Sequence, residues 1–341
     1  MLVYQEPVRF KYYAPFYGVP GAFRFVVLAS AIAVSLITSY TSGSLWVKTR
    51  ERREQPTVAF TSNLVAIFEG QYAGAGDGTV VTSTFAYATM PDTARALERA
   101  GILASSSLAV SEDDLNHDGK ADVVRLKLDA SFPRGRSGAP FEVRGFKLLA
   151  EFDYAMRRAV HMDMKGAPLV AASSGVAAAG LYADGTLALR QVAPLDDYGT
   201  RTTYDAPMLG SGSESAAFDA PASGAVGLLQ ASGNVGPSLA RLVASSLDRN
   251  ETLHFAPDAV LWHPGHASDG FAAEVVFRVP PHQSVLVRPR TIEILKFGWV
   301  QFLASFVVFY FVGAWIEWAA FHYRILPTTV VSDARSKVKL F

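Results

Sequence analysis

Twenty consecutive residues without a charge, Phe297 to Ile316, lie between Lys296 and Glu317, and no other feature constrains the chain so strongly. At about 1.5 Å of rise per residue, some 20 helical residues match the ~30 Å hydrocarbon thickness of a bilayer. Trp299 stands at one end of the run, with Trp315 and Trp318 at the other. Amphipathic indole rings settle at those two depths, among the headgroups. The alternative, a buried helix of a soluble core, seldom carries so long an uncharged run with aromatic rings at both ends. Residues 297–318 are therefore read as a transmembrane helix, and residues 322–341 as a tail on one side of it.

A second uncharged run, Phe25 to Val47, has 23 residues and is bounded by Arg24 and Lys48. It is long enough to span with some tilt. Its rival reading is a cleaved signal peptide, for which Thr41, Ser42, Gly43 and Ser44 offer small residues. The apolar part of such a peptide is shorter, so residues 25–47 are taken as a retained span. Small residues at Ala29 and Ala33 predict a face that another helix approaches closely, and Gln301 and Ser305, with Tyr310 nearby, predict a second. Glu317 follows the second span and is placed at its interface rather than in a proton relay.

Two spans put both termini on one side. Positive charges near the spans are evenly divided and do not orient them, and long loops translocate largely regardless of charge. The sequon Asn250-Glu251-Thr252 lies in the middle segment and favours glycosylation at Asn250, hence an extracytosolic middle and cytosolic termini. Residues 1–24, aromatic and broken by Pro7, Pro15 and Pro20, read as an irregular cytosolic segment along the membrane surface.

The middle, residues 48–290, is predicted to be β-rich. Arg125–Asp129 alternates with period two, as does Phe146–Tyr154; Ala273–Val279 reads as a closing strand before Pro280 and Pro281. Asp184-Gly185 between two apolar runs predicts a hairpin turn. Thr93–Gly101 and Ser238–Leu247 read as short helices. Residues 207–237, dominated by Gly, Ser and Ala, read as a flexible insertion. The expected fold is two transmembrane helices flanking a mainly antiparallel, β-sandwich-like extracytosolic domain.

Composition removes several function classes. Lys and Arg number 31 against 31 Asp and Glu, so there is no basic footprint for nucleic acid, and the absence of cysteine excludes disulfides, zinc–thiolate sites and cysteine nucleophiles. Asp114, Asn116, Asp118, Gly119, Lys120 and Asp122 follow the layout of a calcium loop: side-chain oxygens at alternate positions, a glycine for the turn, and a backbone carbonyl at Lys120 as a further ligand. Arg125 stands where an EF-hand carries its closing glutamate, so Glu112 or Asp113 would have to complete the site. The other reading is an Asn/Asp/Gly turn without metal. His254, His263 and His266 read as loop residues, because Pro264-Gly265 breaks the helix that zinc spacing requires. Gly74–Gly78 reads as a turn, and Ser211 and Ser213 lack the surroundings of a nucleophile. No catalytic constellation and no small-molecule substrate site emerges.

Three stretches in order around two spans, Glu54–Phe60, Asn116–Asp122 and Ile294–Gln301, resemble the transmembrane protein 231 family of the Meckel–Joubert syndrome complex at the ciliary transition zone. The resemblance covers nearly the whole chain; the insertion at 207–237 and the absence of cysteine depart from it. It implies a non-enzymatic subunit of the ciliary gate at the ciliary membrane, with membrane lipid, tectonic-family proteins and other Meckel-complex subunits as partners. A calcium-dependent ectodomain that binds a surface ligand is the alternative from another class.

Overall fold

The computed structural model describes residues 10–15, 17–43, 45–73, 80–135, 138–158, 160–209, 236–265 and 270–332. The chain divides into two compact units, residues 1–48 with 289–341, and residues 49–288. The first unit opens with strand β1 (Phe10–Tyr13) and helix α1 (Val19–Thr41). The second runs through β2 (Arg50–Glu54), β3 (Thr57–Ala73), β4 (Val80–Ala88), α2 (Pro91–Arg99), β5 (Ser105–Asp113), β6 (Val123–Ser131), β7 (Phe141–Met156) and β8 (His161–Gly166). It continues through β9 (Leu169–Gln191), β10 (Leu195–Asp196), β11 (Thr200–Tyr204), α3 (Gly236–Leu247), β12 (Glu251–Pro264), β13 (Phe271–Arg278) and β14 (Gln283–Arg288). The chain then returns to the first unit with α4 (Thr291–His322) and β15 (Thr329–Ser332).

Both long helices depart from the bounds of their uncharged runs. Gly18 caps α1 in an extended conformation and Pro20 lies in its first turn, where its missing N–H costs nothing. Gly43, at φ +69°, turns the chain away after Thr41. The helix thus begins six residues before the expected 25–47 and takes Arg24 into its second turn. Helix α4 has 32 residues, about 48 Å by the standard rise, against the expected 297–318. It stops where Arg324 enters the left-handed region at φ +52°. The N-terminal segment, read as irregular, contributes β1, which pairs antiparallel with β15 in the register Phe10–Ser332 to Tyr13–Thr329. That partner lies at the far end of the chain, so no local pattern announces it.

The second unit is built on one ten-stranded sheet whose main path runs β11-β8-β7-β9-β13-β6-β5, with β3 added at β7, β4 paired to β3, and β12 added at β9. Strand β9 is 23 residues long; its start pairs with β7 and its remainder lies between β12 and β13. The sheet folds over itself through this strand. Phe68 of β3 meets Phe271 of β13 at 5.8 Å, and Phe152 of β7 meets Phe277 of β13 at 4.9 Å, although neither pair of strands is hydrogen-bonded. A smaller sheet, β10-β14-β2, accompanies it. Pairings are antiparallel except β9–β13, β8–β11 and β10–β14, so the mainly antiparallel sandwich is as expected. Beneath α2 and α3 a second apolar cluster gathers Val65, Ile67, Leu97, Leu149 and Leu242.

Asp184-Gly185 is not a turn. Strand β9 passes straight through it, with Gly185 opposite Pro257 on one side and Phe277 on the other. A Cβ at Gly185 would stand 2.4 Å from the Ala256 carbonyl oxygen and 2.7 Å from the Phe255 ring, so the glycine is required by close approach rather than by a bend.

Candidate functional site

Within the first unit, α1 and α4 pack antiparallel, Arg24 meeting Glu317 toward one end and Ser39 meeting Ser305 toward the other. On α1 the face turned inward is Ala31, Ser35 and Ser39, four residues apart, at 6%, 0% and 0% exposure. On α4 the buried positions are Gly298, Gly313 and Ala320. A Cβ at Gly313 would come 3.0 Å from Val27 Cγ1, and one at Gly298 would come 2.8 Å from the Leu45 carbonyl oxygen. Small residues of this kind let helix backbones approach where no water is present to drive association. Ser39 Oγ donates to Ser305 Oγ at 3.3 Å, and Ser305 Oγ donates to the Gln301 carbonyl at 3.1 Å.

Ala29 and Ala33 lie on the exposed side of α1; the face that meets α4 is offset from them by two residues. Ser305 sits in the helix contact. Gln301 is half-buried beside it, and among the described residues its side-chain amide has no hydrogen-bond partner. Large apolar side chains point outward instead: Phe25, Trp299, Phe311 and Trp315 are 60–75% exposed. In α1 and α4 the candidate working surfaces are therefore an inner small-residue seam and an outer apolar skin.

The Asp114–Asp122 loop has a different economy from the calcium layout. Asp114 accepts from the Gly119 N–H at 2.8 Å and from the Asp118 N–H at 3.2 Å, Asn116 Oδ1 from the Asp118 N–H at 2.8 Å, and Asp118 from the Lys120 N–H at 2.9 Å. Asp122 accepts from the N–H groups of Leu115 and Asn116 and from the Gln55 amide. Desolvation pushes the Asp114 carboxyl up, but donation from the Gly119, Asp118 and His117 backbone, with the His117 charge, leaves it below its ordinary value. His117 and Gly119 take positive φ, 60° and 82°, so the loop is a chain of side-chain-to-backbone turns. Among the described residues no group of three or more His, Asp or Glu is gathered to hold a metal ion. In this conformation the loop's side-chain oxygens are engaged by backbone N–H groups. Lys120 points its ammonium, not its carbonyl alone, to structural use: Nζ donates to the Gln55 carbonyl at 2.6 Å, fastening the loop to the start of β3.

The sequon is similarly occupied. Asn250 Nδ2 donates to Glu251 Oε1 at 2.7 Å, Asn250 Oδ1 accepts from the Ala193 N–H at 2.7 Å, and Thr252 is 5% exposed. In the folded chain this amide fastens β12 to the segment after β9. His254 and His263 are both exposed on β12, nine positions apart on one strand, and His266 lies outside the described residues, as do Gly74–Gly78, Ser211, Ser213 and residues 210–235 of the insertion. Two polar centres were not visible in the sequence. Glu151 is fully buried and accepts from Asn63 Nδ2 at 2.6 Å, Thr61 Oγ1 at 3.2 Å and the Met208 and Leu209 N–H groups. Asp184 takes both arms of Arg278, at 2.7 and 2.6 Å, and the Tyr182 hydroxyl at 3.1 Å. The Arg278 guanidinium holds its carboxyl below the usual carboxylate range against the opposing effect of burial.

Comparison with known proteins agrees with this architecture. Residues 1–330 match the family described as Transmembrane protein 231. Transmembrane protein 231 of Xenopus tropicalis is 25% identical over 327 residues, covering 96% of this chain and 94% of its own. The Gallus gallus protein is 29% identical over 300 residues, covering 87% and 83%, and the Homo sapiens protein 25% over 333 residues, covering 97% and 94%. Both α1 and α4 are long and apolar enough to cross a membrane. The chain is a membrane protein and belongs to the transmembrane protein 231 family.

Proposed function

We propose that this chain is a non-enzymatic membrane component of the ciliary transition-zone complex, supporting cilium assembly and the barrier that controls ciliary membrane composition. The observation that carries the reading is the family match over residues 1–330, and with it goes an architecture suited to anchoring: two apolar helices that precede and follow in the chain a sheet-rich unit whose buried Glu151 and Asp184 are engaged in holding its segments together. Tectonic-family and other Meckel-complex proteins are the expected partners. Gln301 is the point at which a partner helix would enter, because an amide in an apolar span without a partner of its own seeks one. The proposed orientation puts both termini in the cytosol and residues 49–288 outside.

A tagged chain should concentrate at the base of the cilium; uniform distribution over the plasma membrane would sink the reading. Gln301→Leu should lower recovery of transition-zone partners in a quantitative pull-down, by the roughly 0.6–2 kcal/mol that intramembrane polar contacts contribute. Unchanged recovery would assign this face to lipid. Protease protection on sealed vesicles tests orientation: digestion of the sheet-rich unit from the cytosolic face would reverse it.

A further inference from the structure

Helices α1 and α4 leave a cavity of about 510 Å³ at the end of the pair that carries Arg24 and Glu317, within the ~300–1,000 Å³ range of small-ligand pockets. It is lined by Tyr12, Arg24, Glu317, Trp318, Phe321 and His322. Every one of these belongs to the first unit. Arg24 stands five residues inside the start of α1, and Glu317 five inside the end of α4, level with the Trp315 and Trp318 rings. That is the depth of lipid headgroups, not of their chains.

The lining is specific in charge and shape. Arg24 sets its Nε 3.7 Å from Glu317 Oε2, and its side chain is 76% exposed, which leaves most of the guanidinium accessible. This fork matches two oxygens of a phosphodiester. The same lining holds two aromatic pairs: Trp318 stacked on His322 at 4.9 Å, and Tyr12 against Phe321 at 5.8 Å. Aromatic faces beside a carboxylate receive a quaternary ammonium, which has no N–H to donate. Among the described residues the lining carries one guanidinium, Arg24, and one carboxylate, Glu317, beside the His322 imidazole, which suits a headgroup of zero net charge; an anionic headgroup would set its surplus charge against Glu317.

We propose that this cavity binds the phosphocholine headgroup of a membrane lipid, the phosphate on Arg24 and the trimethylammonium among Trp318, Tyr12 and Glu317. The occupant is a lipid already in the bilayer, because the cavity opens at headgroup depth beside the outward-facing Trp315 ring, 75% exposed. The site is independent of the ciliary reading and would persist if that reading failed.

The experiment uses the full chain in detergent, titrated with dihexanoyl phosphatidylcholine, phosphatidylethanolamine and phosphatidylglycerol and with free phosphocholine, and read by native mass spectrometry. The parent should retain phosphatidylcholine about tenfold over phosphatidylglycerol. Arg24→Gln should lower that retention about tenfold or more, the loss of the charge-assisted fork, and Trp318→Leu should lower it severalfold. Glu317→Gln should reverse the preference toward phosphatidylglycerol, a gain that misfolding cannot produce. Trp299→Leu, at the other end of α4, should change nothing. Equal retention of all three lipids by the parent, or undiminished phosphatidylcholine on Arg24→Gln, overturns the proposal. Phosphatidylethanolamine held as well as phosphatidylcholine removes the aromatic role and overturns the headgroup assignment. Competition by free phosphocholine at the lipid's own concentration makes the ligand a soluble one and overturns the lipid source.

Discussion

The two units bury opposite kinds of residue. In the sheet-rich unit the largest fully buried side chains are Tyr154, Phe68, Phe146, Phe152, Phe271 and Phe277. In the helix pair the buried positions are Pro20, Ala31, Ser35, Ser39, Gly298, Gly313 and Ala320, while the large rings face outward. Water explains the first pattern: removing apolar surface from it stabilises by about 25 cal/mol per Å². Lipid explains the second, since a Phe side chain gains little by exchanging lipid tails for protein, and close backbone contact decides instead. An apolar residue is thus a core residue in one unit and a skin residue in the other.

The sharpest way to break this comparison is to truncate a ring in each unit. Phe68→Ala removes a side chain that packs against Phe132, Phe146 and Phe271 at 5.0–5.8 Å, and should destabilise the sheet-rich unit by about 3–5 kcal/mol. Phe311→Ala, at a residue 69% exposed, should leave thermal unfolding of the full chain in detergent unchanged. A comparable loss from both would mean that α4 is buried in protein and that the contrast is false.

The converse substitution enlarges a small residue. Gly313→Leu drives a side chain into Val27, where even a Cβ stands at 3.0 Å, and should weaken the α1–α4 contact by about 1–3 kcal/mol, the usual cost of overpacking. Cysteines placed at Ser39 and Ser305 would report it as slower disulfide cross-linking in bilayers. Undiminished cross-linking would show that the helices meet on another face.

How much of this was legible differs between the units for the same reason. The spans were plain, because a charge-free run is a local property of the chain. Their packing register was not: Ala29, Ser30, Ala31, Ala33 and Ser35 put small residues on every side of α1, and only the partner helix selects Ala31 and Ser35. In the sheet-rich unit, strands at Arg125–Asp129 and Phe146–Tyr154 followed from alternation, and both lie within observed strands. Asp184-Gly185 misled because Phe255 and Ala256, distant in sequence, demand the glycine. Alternation along β7 puts Glu151 on the side that carries Lys147 and Asp153, yet Thr61 and Asn63 of β3 and Met208 and Leu209 after β11 converge on it. The Asp114–Asp122 spacing was real, but its oxygens are used by backbone N–H groups.

Acid should separate the units as well. The Asp184 carboxyl is lowered by Arg278, so its contribution is fully present above its unfolded value, about 3.9, and disappears as pH falls through the lower folded value. Asp184→Asn should cost the sheet-rich unit about 1.5–3 kcal/mol near neutrality, the range for a hydrogen-bonded charge, and flatten its stability between about pH 5 and 3 relative to the parent. Urea unfolding across that range reads both effects. A variant whose acid limb matches the parent's would assign the loss to other carboxylates.

The smallest expected effect is the most informative about the seam. Ser39 Oγ and Ser305 Oγ form the one direct side-chain hydrogen bond between α1 and α4 among the described residues, at 3.3 Å, and Ser39 is fully buried. If polar contact held the pair, Ser39→Ala would separate it. Yet Ser305 keeps its bond to the Gln301 carbonyl when Ser39 is shortened, so no donor is orphaned. Alanine also preserves the small profile that lets the backbones approach. Ser39→Ala should therefore cost only about 0.6 kcal/mol, the average for intramembrane hydrogen bonds, whereas Ser39→Leu should cost as much as Gly313→Leu. The same bilayer association assay, with cross-linking cysteines moved to Arg24 and Glu317, compares the two. A large loss in Ser39→Ala would make hydrogen bonding, not residue size, the organising force of the helix pair.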